Sequence, residues 1–133
     1  MSMRKLLATF LMISSGMQAQ TQIIAHRGFW NTNPVTTENS IRSLQNAQKL
    51  GIYGSEFDIR MTKDGVLVIN HDEHHGKMEI ADYSYSELNR LKLSNGEDFP
   101  KLKEYLKQGK KDRAMKLIVE IKPAKTEALE NEL

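Results

Sequence analysis

Apolar residues recur along the chain in short runs separated by polar, Gly-containing or Pro-containing stretches. Gln22–Ala25 (QIIA) is a brief apolar run that stops at His26-Arg27-Gly28, which reads as a buried strand leading into a loop. Asn31, Asn33 and Pro34 mark loop chemistry from Phe29 to Thr37. Over Asn39–Leu50, Ile41, Leu44, Ala47 and Gln48 fall on one face at helical spacing. That predicts an amphipathic helix capped by Thr37 or Asn39 and ended by Gly51. Gly54–Thr62 (GSEFDIRMT) alternates instead. Glu56, Asp58 and Arg60 share one side of a strand, and Phe57, Ile59 and Met61 the other.

Asp64-Gly65 and the apolar run Val66–Asn70 come next, which predicts a two-residue hairpin. In that register Lys63 faces Val66, Arg60 faces Ile69, and Asp58 faces His71. His71–Tyr85 is polar and irregular, and His74 and His75 read as solvated loop residues. Ser86–Leu93 and Lys101–Gly109 read as helices. Lys116–Lys122 (KLIVEIK) is a third core-type strand, expected to be buried on both faces, and Pro123 ends it. A last helix is expected over Thr126–Leu133. Strands alternating with helices place the chain in the α/β class.

The first twenty residues do not belong to this pattern. Arg4 and Lys5 precede an apolar run, Leu6–Ile13, and then small residues up to Ala19. This is the layout of a secretory signal peptide cut after Ala19, giving an exported domain over 20–133, periplasmic or extracellular. The run is too short for the roughly 20 residues of a membrane-spanning helix. The whole chain of 133 residues has 19 Lys+Arg against 17 Asp+Glu. Removing Arg4 and Lys5 leaves the mature part formally neutral, which argues against nucleic-acid binding through a broad basic field. There is no Cys, so disulfide frameworks, thiolate zinc sites and thiol nucleophiles are excluded.

Chemistry concentrates at strand ends. Glu56 and Asp58, two apart on one strand face, repel each other unless a cation lies between them or the face is solvated. A divalent ion with oxygen ligands satisfies the first condition. Glu120 and Lys122 repeat the spacing at the carboxyl end of LIVEIK, where α/β folds bind ligands, although a surface ion pair fits there too. His26 and His71 each end an apolar strand and suit general acid–base work. Arg27 beside Gly28 offers a planar fork of donors and a close backbone approach to an anion. Together these residues describe a metal held by Glu56, Asp58 and Glu120, flanked by two imidazoles and by Arg27 and Lys122. A phosphate ester is the natural substrate of such a site.

The ordered set His26-Arg27-Gly28, Glu38-Asn39-Ser40, Glu56-x-Asp58-Ile59-x-x-Thr62-x-Asp64-Gly65, His71-Asp72 and Glu120-Ile121-Lys122 resembles the glycerophosphodiester phosphodiesterase family. The likeness runs from about Ile23 to Pro123. It implies a TIM (β/α)8 barrel, of which only the N-terminal half is present. It implies hydrolysis of glycerophosphodiesters to glycerol 3-phosphate and an alcohol, through a cyclic phosphate. It assigns Glu56, Asp58 and Glu120 to Ca2+ or Mg2+, and His26 and His71 to acid and base. Arg27 and Lys122 fall to the phosphate, and Glu38 to a supporting place beside the site. A complete barrel takes about 250 residues, roughly twice the length of chain beyond Ala19. The isolated piece is therefore expected to expose sheet edges and to be unstable unless it forms a homodimer. The second expectation for it is a catalytically inactive remnant or a phosphate-ester binding fragment.

Overall fold

The computed structural model describes residues 20–124. The signal peptide expected over Met1–Ala19 and the helix expected over Thr126–Leu133 lie outside them. The described part is α/β. Its main sheet is centred on β2 (Gly54–Met61). β1 (Ile24–Ala25) runs parallel to the start of β2, and β3 (Leu67–Ile69) pairs antiparallel with its end. β6 (Lys116–Ile121) runs parallel along the opposite edge from Gly54 to Ile59. The helix α1 (Ile41–Leu50) connects β1 to β2, and α3 (Leu102–Gly109) precedes β6. Among the described residues the sheet does not close into a barrel.

Helix α1 forms where the periodicity places it, but its cap is Ser40 rather than Thr37 or Asn39. Ser40 Oγ accepts from Ser43 N at 3.0 Å, and Ser43 Oγ accepts from Ser40 N at 3.1 Å. This reciprocal box satisfies two backbone donors that the first turn leaves free. Asn39 cannot be the cap, because its backbone is left-handed (φ 53) and its side chain is engaged elsewhere. Gly51 ends the helix at φ 62, as expected.

Leu44 and Ala47 of α1 bury against Phe57 and Ile59 of β2 and Tyr105 of α3. The Phe57 and Tyr105 rings lie 4.7 Å apart, centroid to centroid. Gln48 and Gln108 tie the two helices side by side, with Gln108 Nε2 donating to Gln48 Oε1 at 2.7 Å. The odd-numbered residues of β2 thus face the helices. The even-numbered Glu56, Asp58 and Arg60 point to the other side of the sheet.

The hairpin after β2 differs from the two-residue turn expected. Ile59 pairs with Ile69, Arg60 with Val68 and Met61 with Leu67, one residue off the sequence-based register. Thr62 N donates to Val66 O and Gly65 N donates to Thr62 O, so three residues make the turn and Gly65 takes the left-handed position (φ 78). Thr62 Oγ1 locks it by donating to Asp64 Oδ1 at 2.6 Å and accepting from Val66 N. Asp58 and His71 are therefore not cross-strand partners; Asn70 N donates to Asp58 O instead.

Residues 71–100 build an outlying subdomain. A small hairpin of β4 (His74–His75) and β5 (Met78–Glu79), one 3-10 turn, and α2 (Tyr85–Leu88) surround a second core of Val68, Ile80, Leu88 and Phe99. α2 is shorter than the expected Ser86–Leu93 helix. A Ser84–Glu87 capping box starts it one residue earlier, and Asn89 turns its side chain to accept from Phe99 N. His75 is buried, contrary to its solvated reading. It stacks on Phe99 at 4.2 Å, with Nε2 2.6 Å from Leu91 O. β6 also departs from expectation. Val119 and Ile121 are 47% and 45% exposed, because among the described residues this strand pairs along one edge only.

Candidate active site

The site lies on the face of the sheet opposite α1 and α3, where β1, β2 and β6 end. β1 delivers His26 and Arg27. Arg27 and Gly28 are both left-handed, with φ 58 and 77. For Arg27 this is a strained backbone, held in place by its surroundings. Arg27 N donates to Glu56 Oε2 at 3.0 Å, and Asn39 N donates to Arg27 O at 2.9 Å. Gly28 presses onto α1. A Cβ there would stand 2.4 Å from Ser43 Oγ, so only glycine fits.

Strand β2 supplies Glu56 and Asp58, and β6 supplies Glu120. Asp58 and Glu120 are direct partners in the parallel ladder. One carboxylate oxygen from each of Glu56, Asp58 and Glu120 lies within 4.8 Å of the others. The environments differ. Asp58 is fully buried, whereas the Glu120 side chain is 55% exposed. Burying a charge is costly unless it is paired, and Asp58 has three partners. Asn39 Nδ2 donates to Oδ2 at 2.9 Å, Arg27 Nε stands 3.7 Å from Oδ2, and Lys122 Nζ stands 3.1 Å from Oδ1. Burial pushes the Asp58 carboxyl up. The Asn39 and Lys122 contacts, helped by the charges of Lys122 and His71, outweigh it and hold the group below its ordinary 3.8. Lys122 shows the mirror effect. Burial favours its neutral amine, but Glu120 at 2.6 Å and Asp58 raise its pKa above the ordinary value.

The other expected residues are also placed. Arg27 Nη1 donates to both oxygens of Glu38, at 3.0 and 3.1 Å, which orients the guanidinium. His26 is exposed, with Nε2 3.8 Å from Glu56 Oε2. His71 lies on the loop after β3, its Nδ1 2.8 Å from Asp72 Oδ1. That contact with His71, more than any charge, holds the Asp72 carboxyl below its ordinary value. Two residues escaped the sequence reading. Asn39 grips Asp58 twice, because its Oδ1 also accepts from Asp58 N at 3.3 Å. Its position between Glu38 and Ser40 was the only sequence signal. Arg60 continues the Glu56/Asp58 face, and its guanidinium donates to His71 O.

A cation fits the donor set. Glu56 Oε1 is buried with no hydrogen-bond partner, and Asp58 Oδ1 has no well-aligned one despite Lys122. Unpaired buried carboxylate oxygens are costly, and an oxygen-seeking divalent ion at their centre would satisfy them.

The family model for the glycerophosphoryl diester phosphodiesterase family matches residues 26–132. The chain belongs to this family. A glycerophosphodiester phosphodiesterase of Caldanaerobacter subterraneus is 38% identical over 77 residues, 54% of this chain and 30% of the relative. One from Bacillus altitudinis is 39% identical over 75 residues, covering 53% and 29%. The chain thus spans about a third of the length of these curated relatives. Among solved structures, a glycerophosphodiester phosphodiesterase from Parabacteroides distasonis superposes with a TM-score of 0.75 at 48% identity, over 79% of this chain and 44% of that one. An Oleispira antarctica phosphodiesterase, solved with the product sn-glycerol-3-phosphate, gives 0.68 at 31% identity, over 78% and 45%. In this family member, no helix among the described residues is long and apolar enough to cross a membrane.

Proposed function

We propose that the chain is the N-terminal half of a TIM-barrel glycerophosphodiester phosphodiesterase, exported by its first nineteen residues. The observation that carries this reading is the Glu56–Asp58–Glu120 cluster, with Arg27, Lys122 and His26 beside it at one end of the parallel strands β1, β2 and β6. Family membership and the product bound to the Oleispira protein support a glycerophosphodiester as substrate.

Glu56, Asp58 and Glu120 would hold a divalent ion, Ca2+ or Mg2+, whose chemistry when bound is Lewis-acid polarisation of the phosphoryl oxygens. Arg27 and Lys122 bind the diester's phosphate and offset the negative charge that grows on it. Glu38 keeps the Arg27 fork aimed. One histidine takes the proton of a glycerol hydroxyl as its oxygen bonds to phosphorus. The other delivers a proton to the alcohol oxygen as the phosphorus–oxygen bond to the head group breaks. The product of this first step is a cyclic phosphate. Water opens it with the proton roles reversed, leaving glycerol 3-phosphate. A His71 whose Nδ1–H donates to the Asp72 carboxylate, 2.8 Å away, would present Nε2 as its acceptor nitrogen. That arrangement supports His71 as the base of the first step and His26 as the acid.

The test is release of glycerol 3-phosphate from glycerophosphocholine by the purified chain, with Ca2+ or Mg2+ and with chelator. Metal-dependent release is expected. It should fall by about two to four orders of magnitude in His26→Ala and in His71→Ala, the usual contribution of a general acid or base. A folded chain that binds the metal yet releases nothing, both alone and when supplied with the C-terminal half of a related barrel, would overturn the reading and leave a phosphate-ester binding remnant.

A further inference from the structure

His71 lies one residue beyond the last position its strand offers to β2. The ladder ends with Ile59 and Ile69, and the final backbone bond runs from Asn70 N to Asp58 O. The His71 carbonyl is held by a side chain. Arg60 Nε donates to it at 3.0 Å and Nη2 at 2.7 Å, a two-pronged grip on one oxygen. The third nitrogen of the guanidinium, Nη1, reaches Pro123 O at 3.5 Å, directly after Lys122. Arg60 therefore bridges the chain just beyond β3 and just beyond β6, the two segments that carry His71 and Lys122. It rises from the same face of β2 as Glu56 and Asp58, so its stem is anchored in the central strand.

We propose that Arg60 is a positioning residue for the phosphodiesterase reaction. It fixes the His71 loop, and with it the His71 ring, beside the end of β2, and it ties that loop to the end of β6. The inference rests on the acid–base role proposed for His71. A planar guanidinium is needed, because a lysine ammonium offers no fixed fork with which to grip one carbonyl from two nitrogens. Asn70 knits the same loop from within, its Nδ2 donating to Asp72 O and His74 O. This leaves the loop internally ordered but dependent on Arg60 for its place against β2.

The experiment compares the wild-type chain with Arg60→Met and Arg60→Lys by three readouts: amide hydrogen exchange, Mg2+ affinity by calorimetry, and turnover of glycerophosphocholine. Arg60→Met should speed exchange at least tenfold at residues 71–74. It should leave the β2 and β6 amides and the Mg2+ affinity unchanged. It should lower kcat by 10- to 100-fold with KM within threefold of wild type, and Arg60→Lys should restore only part of that loss. Unchanged exchange at 71–74 would overturn the proposal. So would faster exchange spread through the whole sheet, which marks a merely structural arginine. If the wild-type chain turns nothing over while exchange responds as expected, the positioning geometry stands and the proposed reaction falls.

Discussion

β2 and β6 lie side by side in one parallel ladder, and their exposure is the reverse of what their compositions suggest. β2 carries Glu56, Asp58 and Arg60 yet is mostly buried, while β6, reading KLIVEI, is largely exposed. Ile59 and Ile121 are direct partners; the first is fully buried and the second 45% exposed. Burial here depends on neighbours rather than on side-chain polarity. β2 has strands on both edges and helices on one face, whereas β6 has, among the described residues, a single strand partner. The one fully buried charge of β2, Asp58, can be buried because Asn39, Arg27 and Lys122 partner it, and that pairing is what makes the site.

The widest expected gap between the strands is in their carboxylates. Asp58→Ala should cost about 3–5 kcal/mol in urea unfolding, since it leaves the buried Asn39 without its acceptor and Arg27 and Lys122 without the carboxylate between them. Glu120→Gln, at the paired position on β6, should change stability by less than about 0.5 kcal/mol while weakening Mg2+ binding. Equal destabilisation by the two would break the comparison. The apolar pair sharpens it. Ile59→Ala should cost about 2–5 kcal/mol by chemical denaturation. Ile121→Ala should cost less than about 1 kcal/mol, because the side chain is already half in water. Next in size is Asn39→Ala, which removes two hydrogen bonds to a buried charged residue and should cost about 1.5–3 kcal/mol by thermal unfolding.

The smallest effect expected is a pH dependence. Asp58 has a folded pKa below its ordinary 3.8, so its contribution is fully present above that value. It is lost as pH falls through the lowered folded value. Wild type should therefore lose stability below about pH 4 more steeply than Asp58→Asn, as measured by urea unfolding at successive pH values. Parallel curves would show that Asp58 is not the group whose pairing matters.

Much of the site is legible in the sequence alone. The spacing of Glu56 and Asp58, the strand-end histidines and the Glu120/Lys122 pair each place chemistry where a strand stops. The features that escape it depend on distant partners. The hairpin slips by one residue because the Thr62 hydroxyl joins the turn, and an Asp-Gly pair does not reveal that. Asn39 looks like a helix cap because its real partner, Asp58, lies on another element. His75 looks solvated because Phe99, the ring it stacks on, is far along the chain. β6 looks like a buried strand because apolar composition cannot say whether both of its edges find neighbours.

The order of the strands also bears on how the molecule is made. Synthesis runs from the N-terminus, so β2 appears about sixty residues before the Lys122 ammonium that meets Asp58. Until then the central carboxylate has Asn39 and Arg27 already in hand but lacks its nearest cation. The first βαβ unit can therefore bury its central carboxylate with its full set of partners only once β6 and Lys122 have been made.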